Sequence, residues 1–382
     1  MENSKELIRD IYEKVSNQSD LEWIDIYEKH DLTCHPETLR KAGVGIKMVA
    51  DAGMLTFAEP ASPGGTASYK EKQQFYDQRR EYNKLLIEEA RADHLTNELI
   101  KSANALNEQK PLPKQKPVEY TSFESEAVLF LSDWHYGLTT DNVWNTYNTT
   151  VADERIAKLC VEVRERLALH QIYRLHVVLL GDFISGAIHV SSRVKANEDT
   201  VEQLMHVSER IAELISEISV YVNETHVYST WGNHSRVTAN IKDSVHSDNL
   251  ERLIPFWLKQ RFKGLDNIAI EDSSSHELIA LFPCGVPVGA THGDLETSKG
   301  ASLVVDRIFQ KAFGVPMRYL VTGHFHHLWS DEQVGVEHIG VGSLCGTDDY
   351  AKDKRLFSKA SQTLMIFDNS GLDAIYNIAL SD

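Results

Sequence analysis

Oxygen and imidazole side chains recur in this chain directly after apolar runs. AVLFLSDWHYG ends in Asp133 and His135, and LHVVLLGDFISG in Gly181 and Asp182. THVYSTWGNHSR ends in Gly232, Asn233 and His234, VPVGATHGD in His292, and YLVTGHFHH in His324 and His326. Histidines at strand ends are also found as surface or hydrogen-bonded residues; the recurrence at five runs is what points to one site. Two carboxylates, an amide oxygen and several imidazoles, with no thiolate, suit manganese, iron or zinc better than calcium. The donors suffice for two ions. A carboxylate has two oxygens with which to bridge, and Asp182, central in the order, is the candidate. In an extended segment His324 and His326 point to one side and His327 to the other.

Such donors must be brought together by strands that end side by side. After Val118 short apolar runs alternate with amphipathic helical patterns, which predicts an α/β domain. Open α/β sheets place their ligands at the carboxyl ends of strands, where these residues fall. Glycines before Asp182, Asn233 and His324 fit turns in which backbone passes close to the site.

The 382 residues allow two domains, or one large domain with an extension. No segment approaches the roughly 20 apolar residues that cross a bilayer, and no basic leader precedes an apolar stretch, so the expectation is a soluble, cytoplasmic protein without a membrane partner. Cys34, Cys160, Cys284 and Cys345 form no C-x-x-C pair and read as reduced core or surface thiols. The net charge of −17 argues against a broad basic surface for nucleic acid, although cations bound in an acidic pocket would invert the local field.

Ahead of the α/β region, 4–16 and 20–30 carry helical periodicity, and a third helix is predicted from near Pro36. With Arg40, Lys41 and Lys47 on the third, residues 1–60 resemble a helix-turn-helix module that would bind DNA; a bundle for docking or homo-oligomerisation shows the same pattern. Residues 61–117 read as a linker, with a long charged helix over Tyr69–Asn107 and a proline-rich spacer, QKPLPKQKP. Residues 118–382 would form the catalytic domain.

Asp-x-His, Gly-Asp, Gly-Asn-His, a lone His and Gly-His-x-His, in that order, resemble the pattern of the calcineurin-like metallophosphoesterase superfamily. The resemblance spans residues 127 to about 345. It implies a two-sheet αββα sandwich and two divalent ions, manganese foremost, with iron, zinc, nickel or magnesium as alternatives. It assigns Asp133, His135, Asp182 and His326 to the first ion, Asp182, Asn233, His292 and His324 to the second, and the catalytic role to His234. Many members have an acid directly after Gly-Asn-His and an Asp or His three residues after Gly-Asp; Ser235 and Ser185 stand there here. Asp294 and Asp243 are candidates for the missing acidic partner of His234.

His189, Arg193 and Lys299 follow two of the motifs in loops and are candidate substrate contacts. VEHIGVGSL, ASQTLMIFD and LDAIYNIAL are expected to finish the second sheet. No capping domain follows the last motif, and the extra mass lies at the amino end, which favours a DNA-directed phosphodiesterase working without an ATPase partner. GSLCGTDDYAKDKRLFSKASQ is similar to a segment of bacteriophage phosphoesterases, which would place the protein in a host cytoplasm. The alternative is a phosphatase or phosphodiesterase for nucleotides, cyclic nucleotides or other small phosphoesters.

Overall fold

The computed structural model describes residues 2–16, 22–32, 36–52, 73, 75–80, 82–83, 97, 100–102, 104–106, 108–121, 124–186, 188, 196–238, 240, 244–245, 247–271, 278–296 and 300–381. The chain divides into two compact units, Met1–Ala90 and Arg91–Asp382.

In the first unit, α1 (Glu2–Val15), α2 (Trp23–Lys29) and α3 (Pro36–Asp51) occupy the three predicted positions. Ile11 and Ile26 form their small core, with Leu7, Val15, Trp23, Leu32 and Ile46 around it. Asp10, buried between helices, accepts from Lys29 Nζ at 2.8 Å and lies 2.7 Å from His30 Nε2. Of the basic residues on α3, Arg40 and Lys41 are exposed and Lys47 pairs with Asp51 at 3.0 Å. The described residues between 73 and 108 are helical, as expected of the long helix, and its remainder lies outside the described residues.

The second unit is mixed α/β, with β1 (Ser125–Leu131), β2 (Thr140–Asn142), β3 (Asn145–Tyr147), β4 (Arg174–Leu179), β5 (Glu224–Ser229), β6 (Ile268–Ile270) and β7 (Ile279–Leu281). There follow β8 (Val288–Thr291), β9 (Tyr319–Thr322), β10 (Trp329–Gln333), β11 (Val336–Gly340), β12 (Ser361–Asp368) and β13 (Gly371–Ala379). One sheet runs β13-β12-β1-β4-β5-β6 and another β10-β11-β9-β8-β7, with β2 and β3 as a separate hairpin.

The unbroken apolar runs of the central strands are explained by burial on both faces. Along β1, Ala127, Leu129 and Leu131 point into a core shared with the helices Thr149–Leu169, Thr200–Ile218 and Leu253–Arg261. Val128 and Phe130 point the other way, into a core between the sheets that includes Ile279, Val288, Val321 and Ile339. The outer face of the five-stranded sheet receives Val305 and Phe309 from the helix Ala301–Phe313.

Register brings the site together. β1, β4 and β5 are parallel, with Leu131 opposite Leu179 and Leu179 opposite Ser229; β8 and β9 are parallel, with Thr291 opposite Thr322. Within each sheet the carboxyl ends therefore line up, each a few residues before its strand-end polar residues. One expectation is corrected: VEHIGVGSL does enter the five-stranded sheet, as β11, but ASQTLMIFD and LDAIYNIAL are β12 and β13 and complete the six-stranded sheet. β1 is buried on both faces, so its second edge needs a strand partner, and β12 supplies it antiparallel.

Gln362, on β12, ties this arrangement together from a fully buried position. Its Oε1 accepts from Ser132 N at 2.9 Å and Trp134 Nε1 at 3.1 Å, while its Nε2 donates to the carbonyls of Ser132, Gly342 and Ser361. Replacement by leucine would strand several buried polar groups, with an expected loss of about 2–4 kcal/mol in denaturant unfolding. Unchanged stability would show that Gln362 is not the tie described.

Candidate metal centre

Five residues of the site occupy the left-handed backbone region that non-glycine residues seldom adopt: Asp133 (φ 54), His135 (φ 44), Asp182 (φ 54), His324 (φ 64) and His326 (φ 62). Each such conformation costs roughly 1–3 kcal/mol and persists where surrounding structure imposes it. The imposing contacts are backbone hydrogen bonds between strand ends. Asp133 N donates to Gly181 O at 3.1 Å, His135 N to Asp182 O at 3.0 Å, and Leu344 N to Asp133 O at 3.2 Å. At Gly181 (φ 90) the chain passes so close to Gly232 that a β-carbon would meet the Gly232 backbone, and one on Gly232 would strike the Asp182 carboxylate. This is the close approach that those glycines permit.

The side chains converge in three overlapping groups: His135 with Asp182 and His234, Asp182 with His292 and His324, and His135 with His326 and Cys345. Within each group the donor atoms lie within 4.8 Å of one another. Asp182 belongs to two of them. Its Oδ1 accepts from His234 N at 2.8 Å, and its Oδ2 is 3.2 Å from His292 Nε2. His292 Nδ1 is 2.7 Å from Leu180 O, which leaves Nε2 facing Asp182 and, at 3.3 Å, Asn233 Oδ1. A backbone carbonyl on one ring nitrogen is the usual means of aiming the other at a metal.

Asp133 is fully buried. Its Oδ2 accepts from Ser132 Oγ at 2.6 Å and His324 N at 2.9 Å. Its Oδ1 receives no hydrogen bond and lies 3.4 Å from His326 Nε2 and 3.9 Å from His135 Nε2. Those two nitrogens face each other at 3.1 Å. An orphaned carboxylate oxygen beside two facing imidazole nitrogens is a donor set that fits a divalent cation.

Protons balance this charge when no cation does. Burial alone would push Asp133 upward, but the His326 charge outweighs it and holds the carboxyl at about 2. Burial likewise opposes the charge on His292, yet Asp182 beside it raises that imidazole to about 10. His326 is raised well above the usual range against its burial, chiefly through the Asp133 charge beside it. His135 is pushed well down by burial and by the charges of His234 and His326; burial and the His292 charge lower His324.

Two features escaped the sequence reading. Glu251, buried outside any motif, accepts from the backbone N–H groups of Asp182 (3.1 Å), Phe183 (2.6 Å), Ile184 (3.4 Å) and Gly232 (2.9 Å). It thereby holds two of the motif turns at once. Burial, and then the Asp182 charge, raise it to about 7. Cys345 is a free, buried thiol as expected, and it also lies beside His135 and His326.

His234 Nδ1 sits 3.1 Å from Ser185 O, so a backbone carbonyl orients this ring. Ser235 Oγ donates to Asn249 Oδ1 at 2.8 Å. Asp294, a candidate acidic partner of His234, exerts its charge instead as a minor influence on His292 and His324. Asp243, His189, Arg193 and Lys299 lie outside the described residues. His327 is exposed, 2.7 Å from Phe325 O through Nδ1, and takes no part. The strand stops at Thr322, so His324 and His326 reach the centre through left-handed turns rather than by alternation.

No protein-family model matches the sequence, and no curated protein matches it. Among solved structures the chain is similar to an archaeal phosphodiesterase at 15% identity, covering 66% of this chain and 99% of that one, with a TM-score of 0.33. It is also similar to Vps29 complexed with zinc from Entamoeba histolytica, at 13% identity over 67% and 99% of the two chains, TM-score 0.30. A predicted phosphoesterase from Streptococcus pneumoniae gives 11% identity over 68% and 92%, TM-score 0.31. Likeness at this level establishes neither fold nor activity. Among the described residues no helix is long and apolar enough to cross a membrane.

Two outcomes are expected. Cation uptake must displace the protons on His292 and His326, so apparent affinity should rise with pH from neutrality towards 10. Calorimetry in buffers of differing ionisation enthalpy should record proton release; uptake without it would contradict the charge balance described. Glu251→Gln would leave buried N–H groups without an acceptor, lowering stability by about 2–4 kcal/mol in chemical denaturation, and should weaken metal retention.

Proposed function

We propose that this chain is a metal-dependent phosphoesterase of the calcineurin-like kind, hydrolysing phosphodiester bonds, with DNA as the first-choice substrate. The observation that carries the reading is the position of Asp182, shared by two donor groups, beside an orphaned oxygen on Asp133. A bridging carboxylate between two ions needs that placement. Asp133, His135, Asp182 and His326 would hold one ion, and Asp182, Asn233, His292 and His324 the other. Manganese, iron, zinc, nickel and magnesium are the candidate metals. When bound, such ions supply Lewis acidity and lower the pKa of water at neutral pH.

The chain's own residues do the rest. Backbone bonds from His324 N to Asp133 and from His234 N to Asp182 fix the carboxylates before any ion arrives. The Ser185 carbonyl holds His234 by Nδ1, which leaves Nε2 as the ring atom that would meet the departing oxygen. His234 touches the reacting groups in this scheme and is the catalytic residue.

The substrate class rests on architecture. Residues 1–60 would be a helix-turn-helix-like DNA-binding or self-associating module, joined by the linker 61–117 to the catalytic domain 118–382, acting in the cytoplasm without an ATPase partner. The net charge of −17 favours a second reading, in which the substrate is a nucleotide, a cyclic nucleotide or another small phosphoester.

The test is metal-free protein supplied with manganese and a panel of linear and circular DNA, RNA, cyclic nucleotides and a phosphoserine peptide. His234→Ala should slow turnover by roughly 10²- to 10⁴-fold while metal content stays the same. DNA left intact while a monoester or cyclic nucleotide is consumed would replace the first reading with the second. No turnover on any substrate would overturn both.

A further inference from the structure

The loop after β11 carries Cys345, which is 0% exposed, into the first half of the centre. Its Sγ shares a group with ring nitrogens of His135 and His326, all within 4.8 Å of one another. A core cysteine could occupy such a position for packing alone. A second observation speaks against that: the Oδ1 of Asp133, fully buried and without a hydrogen bond, is aimed at the same two nitrogens, at 3.4 and 3.9 Å. The ring nitrogens of His135 and His326 thus have both the Asp133 oxygen and the Cys345 sulfur within reach.

The loop is also held in place more firmly than packing of a small thiol requires. Arg155, buried, donates through Nη1 to Leu344 O and Cys345 O, both at 2.8 Å, and through Nη2 to Asn145 Oδ1 at 2.8 Å. Asn145 Nδ2 donates to Cys345 O at 2.7 Å. On the other side, Leu344 N and Cys345 N both donate to the carbonyl of Asp133, at 3.2 and 3.4 Å. The cysteine and the aspartate are therefore positioned by the same backbone junction.

We propose that Cys345 is a further ligand of the first ion, added to the Asp133, His135, Asp182 and His326 set above, and that its sulfur biases this position toward zinc or ferrous iron over manganese or magnesium. The proposal rests on the metal-centre reading above. On binding, the thiol gives its proton to solvent and the sulfur its electron pair to the ion, with no change of oxidation state. A thiolate is a soft donor; manganese and magnesium prefer oxygen, whereas zinc accepts mixed nitrogen, oxygen and sulfur sets. The two halves of the centre then differ in chemistry, one carrying sulfur and the other only oxygen and nitrogen.

The experiment uses the full chain freed of metal and reloaded with cobalt or zinc. Cobalt-loaded protein should show a sulfur-to-cobalt charge-transfer band in the near ultraviolet, lost in Cys345→Ser and kept in Cys160→Ser. Zinc affinity of Cys345→Ser should fall by about tenfold or more, and manganese affinity by less. Should the variant fold poorly, X-ray absorption at the zinc edge of the unaltered protein decides, with a sulfur neighbour expected at about 2.3 Å. Zinc bound only by nitrogen and oxygen would overturn the role of Cys345 and leave the metal centre standing. Failure to take up any ion would overturn both.

Discussion

Two carboxylates held out of water at one point set the terms for the rest of the structure. Asp133 and Asp182 are 0% and 1% exposed, and Glu251, at 3%, lies directly against the Asp182 turn. Isolated buried charges of this kind cost several kcal/mol each, so every group nearby must answer them. Imidazoles on His292 and His326 answer by carrying protons. Backbone N–H groups answer by donating, from His324 to Asp133 and from His234 to Asp182. For those N–H groups to point inward, the chain must turn sharply just past each strand, which is where the left-handed residues sit. Backbone strain at the site is thus a consequence of its charge.

The topology makes this economical. Parallel strands in register deliver their ends to the same edge, and burial on both faces keeps those ends from moving independently. The second sheet contributes His292 and His324 only because its strands β8 and β9 share an apolar core with β1 and β4. Repacking that core would therefore displace imidazoles relative to carboxylates by fractions of an ångström, and donor geometry in metal sites tolerates little more.

Much of this could be read from the sequence, for a physical reason. A strand buried on both faces is an unbroken apolar run, so a polar residue at its end stands out, and the eight strand-end side chains that the structure brings together are legible in that way. What could not be read came from contacts far apart in the chain. Glu251 sits in NLERLIPF, where nothing local separates it from an ordinary helical acid; only the fold shows it capping the turns at Asp182 and Gly232. Cys345 was passed over because a thiol without a C-x-x-C partner carries no spacing signal, and its neighbours are 210 and 19 residues away along the chain. The placement of β12 was misjudged because strand order in a sheet is not written in any one strand's pattern. β12 is apolar at alternate and successive positions alike, and either sheet would have buried it.

The two serines that depart from the expected pattern make sense in the same terms. An acid after Gly-Asn-His, at the place of Ser235, would stand next to a pocket that already contains Asp182 and Glu251. Glu251 is already raised to about 7 by burial and by Asp182, so a third carboxylate would be driven neutral or would push the others so. Ser235 instead joins Asn249, whose Nδ2 donates to Gly232 O at 2.7 Å, and so stiffens the same turn without charge. The orientation of His234 passes to the Ser185 carbonyl, a neutral acceptor. A carbonyl fixes the ring through Nδ1 as a carboxylate would, and it adds no further negative charge to a pocket that already holds Asp182 and Glu251.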